Sequence, residues 1–335
     1  MFTEHPQHQQ GKQSVADIAP EYQTKTVVRD QFIKLQNCIE QHILGQEHLV
    51  ERIIIALLAD GHLLVEGVPG LAKTQAIQTM ARYIDASFQR IQFTPDMLPA
   101  DITGTDIFHP QTADFSFQSG PVFHNIILAD EINRAPAKVQ SALLEAMAER
   151  QVSAGKKTYP LDDLFLVMAT RNPIEQEGTF PLPEAQLDRF LFKIVIDYPT
   201  LEQEEQILQR YKNTSLAPDL SSISKVFSTA DLKKIQKLVA EIKIEDQLLS
   251  YIAKITHGTR KHAKLYLGAS PRASLAMAKA AKAMAAIRGR DFITPDDVQA
   301  VFPAVAGHRL KASKAQNSEL LVQRVLDSVA VIEGA

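Results

Sequence analysis

The chain has 335 residues, 45% hydrophobic and 22% charged, enough for one large or two ordinary globular domains that need no covalent staples. A single cysteine, Cys38, excludes an intrachain disulfide and a cysteine zinc cluster, and the formal charge of −3 excludes a global pull toward nucleic acid or anionic membrane. No run reaches the ~20 apolar residues that span a bilayer, so a soluble, cytoplasmic protein without membrane insertion is expected.

Residues 1–25 are polar and Gln/His-rich with no signal-peptide core, and read as a flexible tail in which His5 and His8 have no role. Over residues 27–43, Phe32, Ile33, Leu35, Ile39 and Ile43 recur at helical spacing, and a second helix follows Gly45 over 47–60. The period then changes. Short apolar runs at 62–65, 88–93, 125–129, 164–169 and 192–196 alternate mostly with helix-length segments, which argues a parallel sheet with helices on both faces. Residues 93–104 are broken by prolines and 115–123 alternate aromatic with polar, so an inserted loop and hairpin are expected there. A second hairpin is expected over 151–165, with Gly155 at its tip. Beyond Pro199 strand signals stop, and helices are expected over 200–211, 230–241, 246–262, 271–289, 294–302 and 318–333. The expected division is therefore an α/β core over 26–198, with an insertion at about 93–123, and an all-α domain over 199–335.

Chemistry concentrates after the first strand. Gly67, Val68, Pro69, Gly70, Leu71, Ala72, Lys73 and Thr74 stand between strand and helix and fit a phosphate-binding P-loop, with Ala72 where the pattern has glycine. Backbone N–H groups of such a loop and the positive end of the next helix wrap polyphosphate oxygens. Lys73 would neutralise β- and γ-phosphate charge, and Thr74 would offer its hydroxyl to Mg²⁺. If residue 72 already belongs to the helix, its φ is negative and alanine costs nothing. A plain strand-to-helix turn of small residues is the alternative reading.

The strand at 125–129 ends in Asp130 and Glu131. After a P-loop, such a pair assigns Asp130 to Mg²⁺ and Glu131 to the attacking water as general base; an isolated pair would more simply cap a strand. Asn172 follows the next strand, expected beside the P-loop strand, and its amide can orient that water.

In this order the motifs resemble an AAA+ ATPase, a P-loop NTPase, and more narrowly the MoxR family. The resemblance runs from about Val27 to the C-terminus. It includes residues 43–47, similar to an adenine-contacting segment and implicating Gly45 and Gln46; residues 184–190, with Arg189; and residues 268–272, with Arg272. It also places Gln75 at the nucleotide. The family implies ATP and Mg²⁺ as cofactors, Arg189 as a finger reaching a neighbour's γ-phosphate, and Arg272 as a lid sensor on its own nucleotide. Arg134 and Arg150 are further candidates for the interface. It also implies a homo-oligomeric, hexameric ring and chaperone-like remodelling of protein clients, von Willebrand factor A domain proteins among them. Ala72, Arg171 in place of glutamine before sensor 1, and a partial lid motif at 305–309 depart from the family pattern. They bear on nucleotide affinity and lid contacts rather than on hydrolysis. The rival readings are a DNA-acting motor, which the mostly neutral or acidic inserts oppose, and a nucleotide-gated scaffold that does not hydrolyse, which Asp130, Glu131 and Asn172 oppose. A GTP switch lacks its guanine motif.

Overall fold

The computed structural model describes residues 20–40, 43, 45–67, 73–155, 157–173, 178–213, 225, 227–312 and 318–329. Helices α1 (Pro20–Glu40) and α2 (Glu47–Leu58) lead into β1 (Leu63–Gly67), every residue of which is buried. After α3 (Lys73–Tyr83) come β2 (Phe88–Gln92), the short α4 (Pro99–Thr103) and a hairpin of β3 (Gly104–His109) and β4 (Asp114–Ser119). Then follow β5 (Ile126–Asp130), α5 (Ala137–Glu149) and a second hairpin of β6 (Gln151–Ala154) and β7 (Lys157–Pro160). The core ends with β8 (Leu166–Arg171), α6 (Glu184–Leu187) and β9 (Phe192–Ile196).

The sheet is five-stranded and parallel, in the order β2-β5-β8-β1-β9. Strand side chains alternate between faces. Leu63, Val65, Leu128 and Met168 therefore join a core with α2 and α3, while Leu64, Ile127, Val167 and Ala169 join a second core with α5. Continuous apolar runs were readable as strands because both faces are covered. The two hairpins touch through Phe117 and Tyr159, whose rings stack at 3.9 Å.

The second domain holds α7 (Leu201–Asn213), α8 (Thr229–Ala240), α9 (Asp246–Lys261), α10 (Pro271–Ile287), α11 (Pro295–Ala306) and α12 (Ser318–Asp327). Small residues such as Ala276, Ala280 and Ala283 let α10 pack closely among its neighbours. Thr294 and Asp297 cap α11 reciprocally, and the buried Asp297 carboxylate also accepts from Arg288 and Arg290. Three expectations need correction. The helix α1 begins at Pro20, so a tail reaching residue 25 would enter a helix. The all-α domain contains an antiparallel ribbon, β10 (Leu265–Leu267) with β11 (Lys311–Ala312), formed because residues 265–267 pair across the chain with the segment after α11. The α11 helix continues past Pro303 to Ala306, one turn beyond the expected end. Among the described residues no helix is long and apolar enough to cross a membrane.

Candidate functional site

At the carboxyl ends of the strands, Gly67 closes β1 and Lys73, Thr74 and Gln75 open α3. A Cβ on Gly67 would lie 2.8 Å from the Ile196 carbonyl oxygen, so the backbone leaves no room for a side chain. Val68, Pro69, Gly70, Leu71 and Ala72 lie outside the described residues, and with them the expectation for the φ of Ala72. Lys73 Nζ donates to the Gly67 carbonyl at 2.8 Å. Partial burial pushes the Lys73 pKa down, and the Asp130 and Glu131 carboxylates oppose that shift. The cation and both acids therefore share one site.

Asp130 ends β5 beside Gln92 of β2. Its Oδ1 accepts from Thr170 Oγ1 at 2.5 Å, and its Oδ2 accepts from Arg90 at 2.6 Å. Glu131 adopts a left-handed φ of +57°, a conformation that costs a non-glycine residue about 1–2 kcal/mol. The kink takes the chain out of the strand, and the Glu131 N–H donates to Thr170 Oγ1 at 3.0 Å. Its carboxylate accepts from Gln92 Nε2 at 2.9 Å and pairs with Arg134 at 3.1 Å. Asn172 is buried just past the end of β8, which pairs directly with β1 as expected. Arg171 meets the buried Glu66 carboxylate, which Lys193 also holds at 2.7 Å. The departure at residue 171 thus forms an ion-paired brace across β8, β1 and β9 beside the loop. Gly45 has a φ of +73°, and Gln46 stands at the N-cap position of α2 without a side-chain capping bond.

Arg189 and Arg272 lie elsewhere. They line one cavity of about 480 Å³ together with Gly61, His62, Arg150 and Lys279. Gly61 and His62 precede β1 and the P-loop follows it, so this cavity sits at the opposite end of the sheet, about 16 Å away along the strand. Arg272 is therefore not placed on its own chain's P-loop, contrary to the expectation of a sensor in cis. The cause is how the lid is moored. Asp188 accepts from Ser270 Oγ at 2.8 Å and from Arg309 Nε at 2.7 Å, and Arg309 also donates to the Phe190 carbonyl. These bonds fix the start of α10 at the amino ends of the strands. From the partial lid motif, His308 and Arg309 both reach the Phe190 carbonyl, and Arg309 also reaches that of Leu191. Arg189 Nη1 donates to the Leu144 carbonyl at 2.6 Å rather than to an acid, and Arg150 pairs with Asp60 at 2.7 Å. Arg134, by contrast, belongs to the P-loop end.

Residues 62–192 match the ATPase family associated with various cellular activities (AAA), and residues 257–329 match the AAA lid domain. Chaperone MoxR1 of Mycobacterium tuberculosis is 47% identical over 307 residues, covering 88% of this chain and 80% of that protein. The chain belongs to the MoxR family of AAA+ ATPases. YeaC, an uncharacterised protein of Bacillus subtilis, is 41% identical over 298 residues, 88% of this chain and 92% of that one. A crystal structure of a candidate ATPase from Cytophaga hutchinsonii superposes with a TM-score of 0.85 at 38% identity, covering 92% of this chain and 97% of that one.

Within this MoxR core, sequence reading did not single out Gln92, Arg90 or Thr170. Thr170 had a signal, since it lies two residues before Asn172 and so on the same strand face. Gln92 and Arg90 had none, because β2 is a half-exposed polar strand whose role depends on its register with β5.

Proposed function

We propose that the chain hydrolyses ATP with Mg²⁺ in a head-to-tail hexameric ring and couples turnover to remodelling of protein clients. The observation that carries this reading is the separation of the phosphate end from the arginine cavity. Within one chain these lie at opposite ends of β1, so they complete a site only when one subunit's amino end meets the next subunit's P-loop, a heterologous contact that closes into rings. Arg189 and Arg272 would then both act in trans.

The residues present suit the cofactors. The Thr74 hydroxyl and Asp130 carboxylate are hard oxygen donors of the kind Mg²⁺ prefers, and Asp130 already holds a cation in the Arg90 guanidinium. Bound Mg²⁺ supplies charge neutralisation on the phosphates. Lys73 would neutralise charge on the phosphate oxygens. Glu131 takes a proton from water once Gln92 and Arg134 release its carboxylate, and Asn172 orients that water without competing for its proton. Remodelling of clients follows the name of the Mycobacterium tuberculosis relative, and von Willebrand factor A domain clients follow the family resemblance.

Phosphate release per chain, measured against protein concentration with and without Mg²⁺, tests this. Turnover per chain should rise as subunits assemble and vanish with chelator. Absence of any release would favour the non-hydrolysing scaffold, and stimulation by DNA would favour the motor.

A further inference from the structure

A second cavity, of about 260 Å³, opens where the end of α2 meets α8 and α10. Its wall carries Lys233 and Lys237 from α8 and Lys279 and Lys282 from α10, with Asp60 as its one acid. Arg150 already holds that carboxylate at 2.7 Å. Among the described residues, none of the four lysines takes part in an ion pair. Lys233 and Lys237 are one helical turn apart and repel each other. Between the lysines the wall is formed by Gln236, Ala59 and Ala240 and by the buried Leu58 and Val239, so it is mostly apolar. Asp60 and Lys279 also line the arginine cavity, so the two form one basic groove at the amino end of the sheet.

The complementary surface lies at the other end. Helix α7 leaves β9 on the P-loop side, and Gln203 packs on Gly45, where a Cβ would come within 2.9 Å of its Cδ. Leu201, Glu204, Glu205 and Leu208 fall at i, i+3, i+4 and i+7 and so share one stripe. Leu201 is 71% exposed and Leu208 61% exposed. A positive helix end accounts for the acids of the first turn, but neither for Glu205 beyond it nor for two uncovered leucines on the same stripe.

We propose that α7 of one copy docks on the lysine groove of the next. Glu204 and Glu205 face the lysines, and Leu201 and Leu208 enter the apolar wall. The two surfaces lie at opposite ends of the sheet, so a chain cannot satisfy itself, whereas each copy in a head-to-tail row satisfies its neighbour. The proposal rests on the ring reading above and adds a named contact to it.

Sedimentation velocity of the full chain with a non-hydrolysable ATP analogue tests it. Lys233→Glu with Lys237→Glu, or Glu204→Lys with Glu205→Lys, should raise the concentration of half-assembly roughly tenfold or more, since like charges then face each other. Combining all four reversals should bring assembly back to within about threefold of wild type. Unchanged assembly in the groove variant, or no recovery in the combination, overturns the contact while wild-type rings leave the ring reading standing. Wild type that stays monomeric overturns both. Should a reversal impair folding, a Cys38→Ser background gives a second measurement. Chains carrying Glu205→Cys mixed with chains carrying Lys237→Cys should form a disulfide-linked dimer, and absence of that product overturns the contact.

Discussion

The Gln92 side-chain amide donates to the Glu131 carboxylate at 2.9 Å from the neighbouring strand, while Arg134 holds the same carboxylate at 3.1 Å. The proposed general base is therefore restrained by a donor and a cation, and both must let go before the carboxylate can meet water. Gln92→Ala should raise unstimulated phosphate release by up to about 10- to 10²-fold, the factor equivalent to losing one charge-assisted bond of about 1.5–3 kcal/mol. A fall in turnover would instead mean that Gln92 aims the carboxylate. Glu131→Gln should lose about 10²- to 10⁴-fold in turnover and keep nucleotide binding, measured by equilibrium titration.

Arg189→Ala and Glu131→Gln supply a test of action in trans. Each alone should be nearly inactive, the arginine by about 10³- to 10⁵-fold. Mixed in equal amounts, they should regain turnover, because an Arg189→Ala subunit keeps its own Glu131 and receives Arg189 from its neighbour. The same rescue is expected for Arg272→Ala mixed with Glu131→Gln. Mixtures as inactive as their components would place the arginines in cis, and a fully active Arg189→Ala alone would place Arg189 outside the reaction.

The P-loop end was legible because local patterns carry it: the apolar run Leu63 to Val65 leads to Gly67, a helix starts at Lys73, and an apolar strand ends in Asp130 and Glu131. The position of Arg272 was not legible. It is set by bonds between Asp188 and Arg309, 121 residues apart, and no local spacing encodes that distance. Gln92 and Arg90 were hidden for a related reason: their meaning lies in the pairing of β2 with β5, not in the run Phe-Gln-Arg-Ile-Gln itself.

The mooring of the lid makes its own demand. Arg309 is buried and Asp188 nearly so, with side-chain exposures of 3% and 16%. Burial lowers the Arg309 pKa and the Asp188 carboxylate raises it back, so the guanidinium depends on that partner. Asp188→Ala would leave a buried cation unpaired and should cost about 3–5 kcal/mol in chemical denaturation. Ser270→Ala removes one neutral donor to the same carboxylate and should cost about 1–3 kcal/mol. Equal losses for the two would mean that Ser270 rather than Arg309 anchors α10.

Two buried histidines set the response to acid. His62 Nε2 donates to the Met147 carbonyl and Nδ1 accepts from the Val167 N–H, so the ring is neutral with its tautomer fixed. Burial, aided by the Arg150 charge, lowers its pKa to about 4, and burial with the Arg309 charge lowers that of His308 well below the usual value. Because both folded-state pKa values lie below that of the unfolded chain, the unfolded chain binds more protons in acid. The neutral rings contribute their stability above pH ~6.5 and lose it as pH falls toward 4, at about 1.4 kcal/mol per pH unit for each histidine. For His62 the loss amounts to about 3 kcal/mol by pH 4. In His62→Gln, an amide can keep both hydrogen bonds without titrating. Denaturation of that variant across pH 4–7 should show a slope shallower by about one proton, and an unchanged slope would mean that His62 does not titrate on unfolding.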